Sequence, residues 1–260
     1  MPHFLRFALS QLLCLFLFIS AASADASDFR SLIENGNGVP RGGALASTVA
    51  MLTYGNGSFC SASFLSPQTL ITAGHCAAGV RPGSMTVSVM NPRGGYYKAK
   101  AVSLAVHPEY SNRRDQYGIT IIRNDLAIIQ LSTPFPAPVR PVALSAFPQL
   151  DSGKWIPVTD VGYGFHNGHT GGMTLRWGKM LGQLQAIEQF DGRVGLEQKN
   201  SHQQNVCPGD SGGAVLLGSE SSRALVAIHS LGNGCGSGPS TGASSELVWP
   251  ARNWIRAQIH

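Results

Sequence analysis

Five consecutive residues, Gly209-Asp210-Ser211-Gly212-Gly213, constrain this chain more than any other segment. The glycines lack a Cβ, so the backbone can bend sharply around one hydroxyl and still leave it open. A serine held in this way becomes a nucleophile only when a neighbouring base takes its proton. Any fold the chain adopts must therefore bring a histidine and an orienting carboxylate to Ser211 from elsewhere in the sequence.

Two segments offer them. Leu70-Ile71-Thr72-Ala73-Gly74-His75-Cys76 reads as a buried strand that delivers His75 to a loop at its end. Asn124-Asp125 precedes the apolar run 126–131, so Asp125 can be buried at a strand mouth. A carboxylate there can accept the Nδ1 proton of a histidine and fix its tautomer. Taken singly, each has a plain structural reading: a loop histidine, a turn aspartate, a turn serine. Taken together, in the order His75, Asp125, Ser211, they point to nucleophilic hydrolysis.

The rest of the chain is a frame of short strands. Glycine numbers 31 and charged residues make up only 13% of the 260 residues. Apolar stretches are brief and broken by Gly, Ser, Asn and Pro, an all-β pattern. Residues 85–89, 99–104 and 214–217 read as strands, and helical periodicity is clear only over 251–259. The proline-rich stretch 133–141 cannot be a central strand, because proline offers no ladder donor. It reads as a linker between two β halves. His75 and Asp125 precede it and Ser211 follows, which puts the site in the cleft between the halves. The long stretch between His107 and Asp125 reads as a solvated insertion or as a loop overhanging the cleft.

The first 24 residues combine Arg6, an apolar run over 7–19 and Ala22-Ser23-Ala24, which together read as a signal peptide cut after Ala24. The apolar run is too short to span a membrane, which takes about 20 residues. The expected location is secreted or periplasmic, with no membrane association after signal removal. Cys14 leaves with the signal, and Cys60, Cys76, Cys207 and Cys235 remain, an even number suited to disulfides. Four cysteines allow three pairings. No Cys-x-x-Cys spacing supports a metal, and zinc is not expected. The net charge of +5 reads as general solubility. No basic cluster interleaved with aromatics points to nucleic acid.

These motifs resemble the chymotrypsin-like (trypsin-like) serine proteases from about Ile33 to the end. Thr72-Ala73-Gly74-His75-Cys76 is similar to the family's Thr-Ala-Ala-His-Cys, and Asn124-Asp125-Leu126 to its Asn-Asp-Leu. Val106-His107-Pro108-Glu109-Tyr110, Gly162-Tyr163-Gly164 (for Gly-Trp-Gly) and Trp254-Ile255 resemble further landmarks. The resemblance implies two six-stranded antiparallel Greek-key barrels and a C-terminal helix, with the active site between the barrels. It divides the chain into a propeptide over 25–32, a first barrel over 33–138 and a second over 139–260. It selects Cys60–Cys76 and Cys207–Cys235 as disulfides.

The same resemblance implies an endopeptidase that needs no cofactor, acts on protein or peptide substrates and is a monomer. The backbone N–H groups of Gly209 and Ser211 would form the oxyanion hole. Asp210 would pair with a new amine at Ile33 after an activating protease cuts there; the alternative is that Ile33 is an ordinary apolar residue. Leu32 precedes that cut, where the family usually has Arg or Lys. Asn205 falls at the floor of the primary pocket. Being neutral, it disfavours Arg or Lys, because a buried guanidinium needs a partner charge. Gly232 and Gly242 would leave the pocket walls open, and Ser230 would lie on the strand that pairs with substrate. His229 matches a histidine that binds acidic side chains in glutamyl endopeptidases, or is a wall histidine satisfied by its neighbours. The expected specificity is therefore acidic (Glu) or large and uncharged. A catalytically silent homologue acting as a binding or regulatory module is the alternative of a different class. An esterase-like hydrolase fits the Gly-x-Ser-x-Gly pattern, but not the His, Asp, Ser order or the cysteine contexts.

Overall fold

The computed structural model describes residue 33 and residues 36–145, 153–165, 174–199, 204–218, 223–232, 235 and 242–259. The expected signal peptide and propeptide lie outside the described residues.

Sixteen strands and two short helices make up the described regular structure, apart from 3-10 turns. The first half holds β1 (Asn37–Gly38), β2 (Val49–Thr53), β3 (Phe59–Phe64), β4 (Thr69–Thr72), α1 (Gly74–Ala77), β5 (Thr86–Met90), β6 (Tyr96–Val106), β7 (Ser111–Arg114), β8 (Thr120–Arg123) and β9 (Ala127–Leu131). The second holds β10 (Ala143–Leu144), β11 (Ile156–Gly162), β12 (Arg176–Ala186), β13 (Val194–Lys199), β14 (Ala214–Leu217), β15 (Ala224–Gly232), β16 (Gly242–Leu247) and α2 (Arg252–Ala257).

Strands β2-β3-β4-β9-β6-β5 close into one antiparallel barrel. Strands β12-β11-β14-β15-β16-β13 form a second ring of six, closed by the pairing of β13 with β12. Closure leaves no edges for stray pairing, which matters for sheets this rich in short apolar strands. β1 extends the second sheet along β12, and β10 joins β15 in parallel. The architecture is the expected pair of six-stranded barrels with a C-terminal helix.

Burial follows side-chain direction. All four residues of β4 are buried, as its continuous apolar run requires. Over its first seven residues β12 alternates, with Arg176, Gly178, Met180 and Gly182 buried between more exposed neighbours. One apolar cluster runs from Leu52, Phe64 and Ile71 of the first barrel to Val161, Leu216 and Ile228 of the second. Each large side chain in it contributes roughly 1.5–3 kcal/mol. The barrels thus share a core, and the cleft between them has firm walls.

The proline-rich stretch runs along the first barrel before joining the second. Phe135 N–H donates to the Pro67 carbonyl and Val142 N–H to the Phe64 carbonyl, both at 2.8 Å. Beyond the second barrel, α2 returns to the first. Its Ile255 is fully buried, its Trp254 ring meets His107 edge-on at 4.8 Å, and Gln130 Nε2 donates to the Gln258 carbonyl.

Two local readings need correction. His75 stands on the single-turn helix α1 rather than on a loop. Gly74 permits this turn, since a Cβ there would lie 2.8 Å from the Tyr110 ring. The stretch between His107 and Asp125 is a docked hairpin, β7–β8, not a solvated insertion. Its Ile122 packs with Ile187 and Phe190, and Asp191 pairs with Arg113 and Arg123.

Candidate active site

β4 and α1 deliver His75 to the cleft, and the turn before β9 delivers Asp125. Asp125 is fully buried, whereas the His75 side chain keeps 27% of its surface exposed. Two bonds join them. His75 Nδ1 lies 2.8 Å from Asp125 Oδ2, and the His75 backbone N–H donates to Oδ1 at 2.8 Å. Ser230 Oγ donates to Oδ2 at 2.6 Å. The carboxylate is thus oriented by three donors, and it fixes the ring with Nε2 free to face a substrate. Burial pulls the His75 pKa down, but the hydrogen bond and charge of Asp125 outweigh it and leave the ring raised above 6.5.

Ser211 lies on the loop before β14, between two glycines that nothing larger could replace. Gly209 has φ +95°, and a Cβ on it would fall 2.2 Å from the Phe59 ring. Gly212 has φ +79°, and its Cβ would fall 2.1 Å from Thr72 Oγ1. The loop is sewn to the first barrel by Ser61 of β3. Ser61 N–H donates to the Ser211 carbonyl at 2.8 Å, and its Oγ donates to the Gly209 carbonyl at 3.0 Å. The same Oγ accepts Tyr163 N–H at 2.9 Å. Among the described residues, none accepts the N–H of Gly209 or of Ser211. Those two donors remain available to an anion beside the Ser211 hydroxyl.

Asp210 faces away from the cleft. It is buried and accepts Gly164 N–H at 2.8 Å and Cys207 N–H at 2.9 Å. Burial pushes its pKa up to about 7, with His229 and the two N–H donors pulling the other way. Ile33 is fully buried against β12: a Cβ on Gly178 would meet Ile33 Cγ2 at 2.9 Å and Gln204 Oε1 at 3.2 Å. Gln204 opens the segment that carries Asp210. Leu32 precedes Ile33, so the Ile33 nitrogen is here an amide.

A cavity of about 370 Å³ opens beside Ser211, lined by Val206, Pro208, Ser230, Leu231, Gly232 and the Cys207–Cys235 bridge, with His229 also at its wall. The second bridge, Cys60–Cys76, ties β3 to α1. Asn205 is fully buried, outside the residues that line this cavity. Gly232 does line it. Gly242 instead packs on β13, where a Cβ would fall 2.3 Å from the Gln198 carbonyl oxygen. Both nitrogens of His229 turn away from the cavity into a buried cluster. Nδ1 lies 3.2 Å from Ser245 Oγ, and Nε2 lies 3.2 Å from Asp160 Oδ1, a charge contact without good hydrogen-bond alignment. Gln198 closes the ring by donating to Asp160 at 2.7 Å and accepting from Ser245 at 2.6 Å. A second cavity, about 450 Å³, lies on the other side of His75 between Tyr54, Phe59 and Arg81.

Three residues of this neighbourhood escape a reading of motifs. Ser61 and Arg193 carry no signal of their own. Glu246 does carry one: an acid inside an otherwise small and apolar strand, which must find a partner if buried.

Comparison with known proteins agrees with this geometry. Residues 35–255 match the family described as Trypsin. The chain is 29% identical to the cattle (Bos taurus) suppressor of tumorigenicity 14 protein homolog, across 81% of this chain and 26% of that protein. It is 23% identical to serine protease Hayan of Drosophila melanogaster, across 79% of this chain and 37% of that protein. With a trypsin of Saccharopolyspora erythraea it shares 24% identity, across 72% of this chain and 82% of that one. The chain thus spans only 26% and 37% of the length of the first two relatives. With two closed barrels, a candidate triad at their junction and a family match over 35–255, this chain belongs to the trypsin family.

Proposed function

We propose that the protein is a serine endopeptidase that hydrolyses peptide bonds through His75, Asp125 and Ser211. The observation that carries this reading is the double anchoring of His75 on Asp125, by ring and by backbone, next to Cys76, whose Sγ lies 3.8 Å from the Ser211 carbonyl. His75 takes the Ser211 proton as Oγ attacks the substrate carbonyl. Asp125 stabilises the imidazolium so formed. The N–H groups of Gly209 and Ser211 receive the developing oxyanion, and loss of one such donor costs about 3–4 kcal/mol of barrier in related chemistry. His75 then protonates the leaving amine, and water attacks the acyl-enzyme by the same route in reverse.

For specificity we favour large uncharged side chains. The cavity beside Ser211 is walled by Val206, Leu231 and Gly232, and the His229 nitrogens lie 3.2 Å from Ser245 Oγ and from Asp160 Oδ1, neither of which lines it. An acidic side chain would compete with the Asp160 carboxylate for that imidazole, and a cationic one would find no carboxylate among the lining residues. Burial of Asp210 and of Ile33 supports synthesis as a zymogen activated by a cut before Ile33. Exported synthesis follows from the signal-peptide reading and suits the two disulfides.

The test pairs the purified protein with Ser211→Ala on a diverse peptide mixture, with cleavage sites and the enzyme's own N-terminus read by mass spectrometry. Cleavage by the wild type alone, after large uncharged residues, is expected. Cleavage after Glu would reinstate the acid-binding role of His229. A mature N-terminus at Ile33 together with an intact peptide mixture would overturn the peptidase reading in favour of a silent homologue.

A further inference from the structure

Asp125 stands on a tight turn. Asn124 adopts φ +45°, a left-handed conformation that asparagine tolerates better than most side chains, and Leu126 N–H donates to the Asn124 carbonyl at 2.7 Å. The Asp125 N–H between them is buried. It needs an acceptor, because an unpaired buried N–H is strongly disfavoured. The acceptor comes from the far barrel: Glu246 Oε2, on β16, lies 3.4 Å away. Glu246 is itself only 2% exposed. Its other oxygen, Oε1, accepts from Arg193 Nη2 at 3.0 Å, and Arg193 keeps a third of its side chain in solvent.

We infer that Glu246, charged and held by Arg193, is a positioning residue for Asp125: it fixes the turn that presents the candidate catalytic carboxylate. This rests on the hydrolase reading of the site. The residue type follows from the geometry. Donors face both oxygens, so only a carboxylate satisfies both; an amide would set its NH₂ against one of them. Two carboxylates so close repel each other, which a buried site tolerates only with a cation at hand. Burial, with the Asp125 charge adding to it, leaves the Glu246 carboxyl raised above its ordinary value, although Arg193 and the Asp125 N–H pull it down. The path from Arg193 through Glu246 and Asp125 to His75 crosses from the second barrel to the first. The orientation of His75 therefore depends on how the barrels are docked.

The test uses the full chain, with Glu246→Ala, Glu246→Gln and Arg193→Met compared with the wild type. Steady-state hydrolysis gives kcat and KM, and thermal unfolding gives the folded fraction. In a Ser211→Ala background, the proton between His75 Nδ1 and Asp125 is followed by proton NMR. Glu246→Ala is expected to lower kcat roughly ten- to a hundredfold, with KM changed less than about threefold, because small misplacements cost that much. The His75 proton should then broaden or disappear. Arg193→Met leaves the acceptor in place but removes its cation, and should lower kcat in the same direction. If Glu246→Ala fails to fold, Glu246→Gln carries the same readouts. A folded Glu246 variant with unchanged kcat and a sharp His75 proton would overturn the inference. The NMR arm needs no turnover, so it still decides the matter if the wild type hydrolyses nothing.

Discussion

Burial and Asp125 pull His75 in opposite directions, and Asp125 wins, leaving the ring easier to protonate than a free histidine. A general base works only when neutral. Activity should therefore rise with pH through an inflection above 6.5, and kcat/KM for a small ester across pH 5–9 would measure it. The stability linkage has the matching sign. The contribution of the His75 pair to folding is complete below 6.5 and is lost as pH rises through the raised value. An inflection at or below 6.5 would mean that the Asp125 contact does not persist in solution. The candidate triad of His75, Asp125 and Ser211 was legible in the sequence because the proposed reaction would restrict residue types locally, each beside a strand end or between glycines. Their supports were not. Ser61 reaches Gly209 across 148 positions and Glu246 reaches Asp125 across 121, so only strand register reveals the partnership. His229 was legible as a pocket-wall residue. Its acid-binding reading depends on ring direction, and the sequence does not place Asp160 and Ser245 beside the ring.

At the scale of elements, the strands with continuous or alternating apolar runs were readable, and β4, β5, β6 and β14 lie where periodicity put them. The hairpin β7–β8 was not readable, because Ser111-Asn112-Arg113-Arg114 has no apolar period. Its order comes from its partner. A lone two-stranded hairpin is marginal in water. Here Ile122 docks with Ile187 and Phe190, and Leu231, which lines the cavity beside Ser211, packs on the same cluster. The hairpin is thereby coupled to one wall of the cleft. Ile122→Ala removes a buried contact usually worth about 2–5 kcal/mol, more than an isolated hairpin can spare. The expected result is a rise in KM for peptides that extend several residues before the scissile bond, with little change for a single-residue ester. Equal losses on both substrates would show that the hairpin acts on the whole site rather than on the wall.

At the scale of the whole molecule, one apolar cluster joins the two barrels, the second of which also has an interior cluster of its own, and the loop carrying Ser211 is held from both sides. Ser61 belongs to the first barrel, and Gly164, which donates to Asp210, follows a strand of the second. Asp210 is the buried carboxyl of this loop. In the uncut chain the backbone N–H groups of Gly164 and Cys207 donate to its carboxylate, and burial lifts its pKa from 3.8 to about 7. The folded state then binds the proton more tightly than the unfolded chain. Its contribution to stability is complete below pH 3.8 and is lost as pH rises towards and through 7. The loss is of order a few kcal/mol. A cut before Ile33 would place an ammonium near this carboxylate, lower its pKa and remove the loss. The uncut Ser211→Ala protein should therefore lose more stability between pH 5 and pH 8 than the same protein beginning at Ile33. Asp210→Asn, which cannot ionise, should erase that difference. Denaturant unfolding of the four proteins at the two pH values measures it. Parallel pH dependences for cut and uncut chains would detach Ile33 from Asp210, and would leave the barrels to order the Ser211 loop through Ser61 and Gly164 alone.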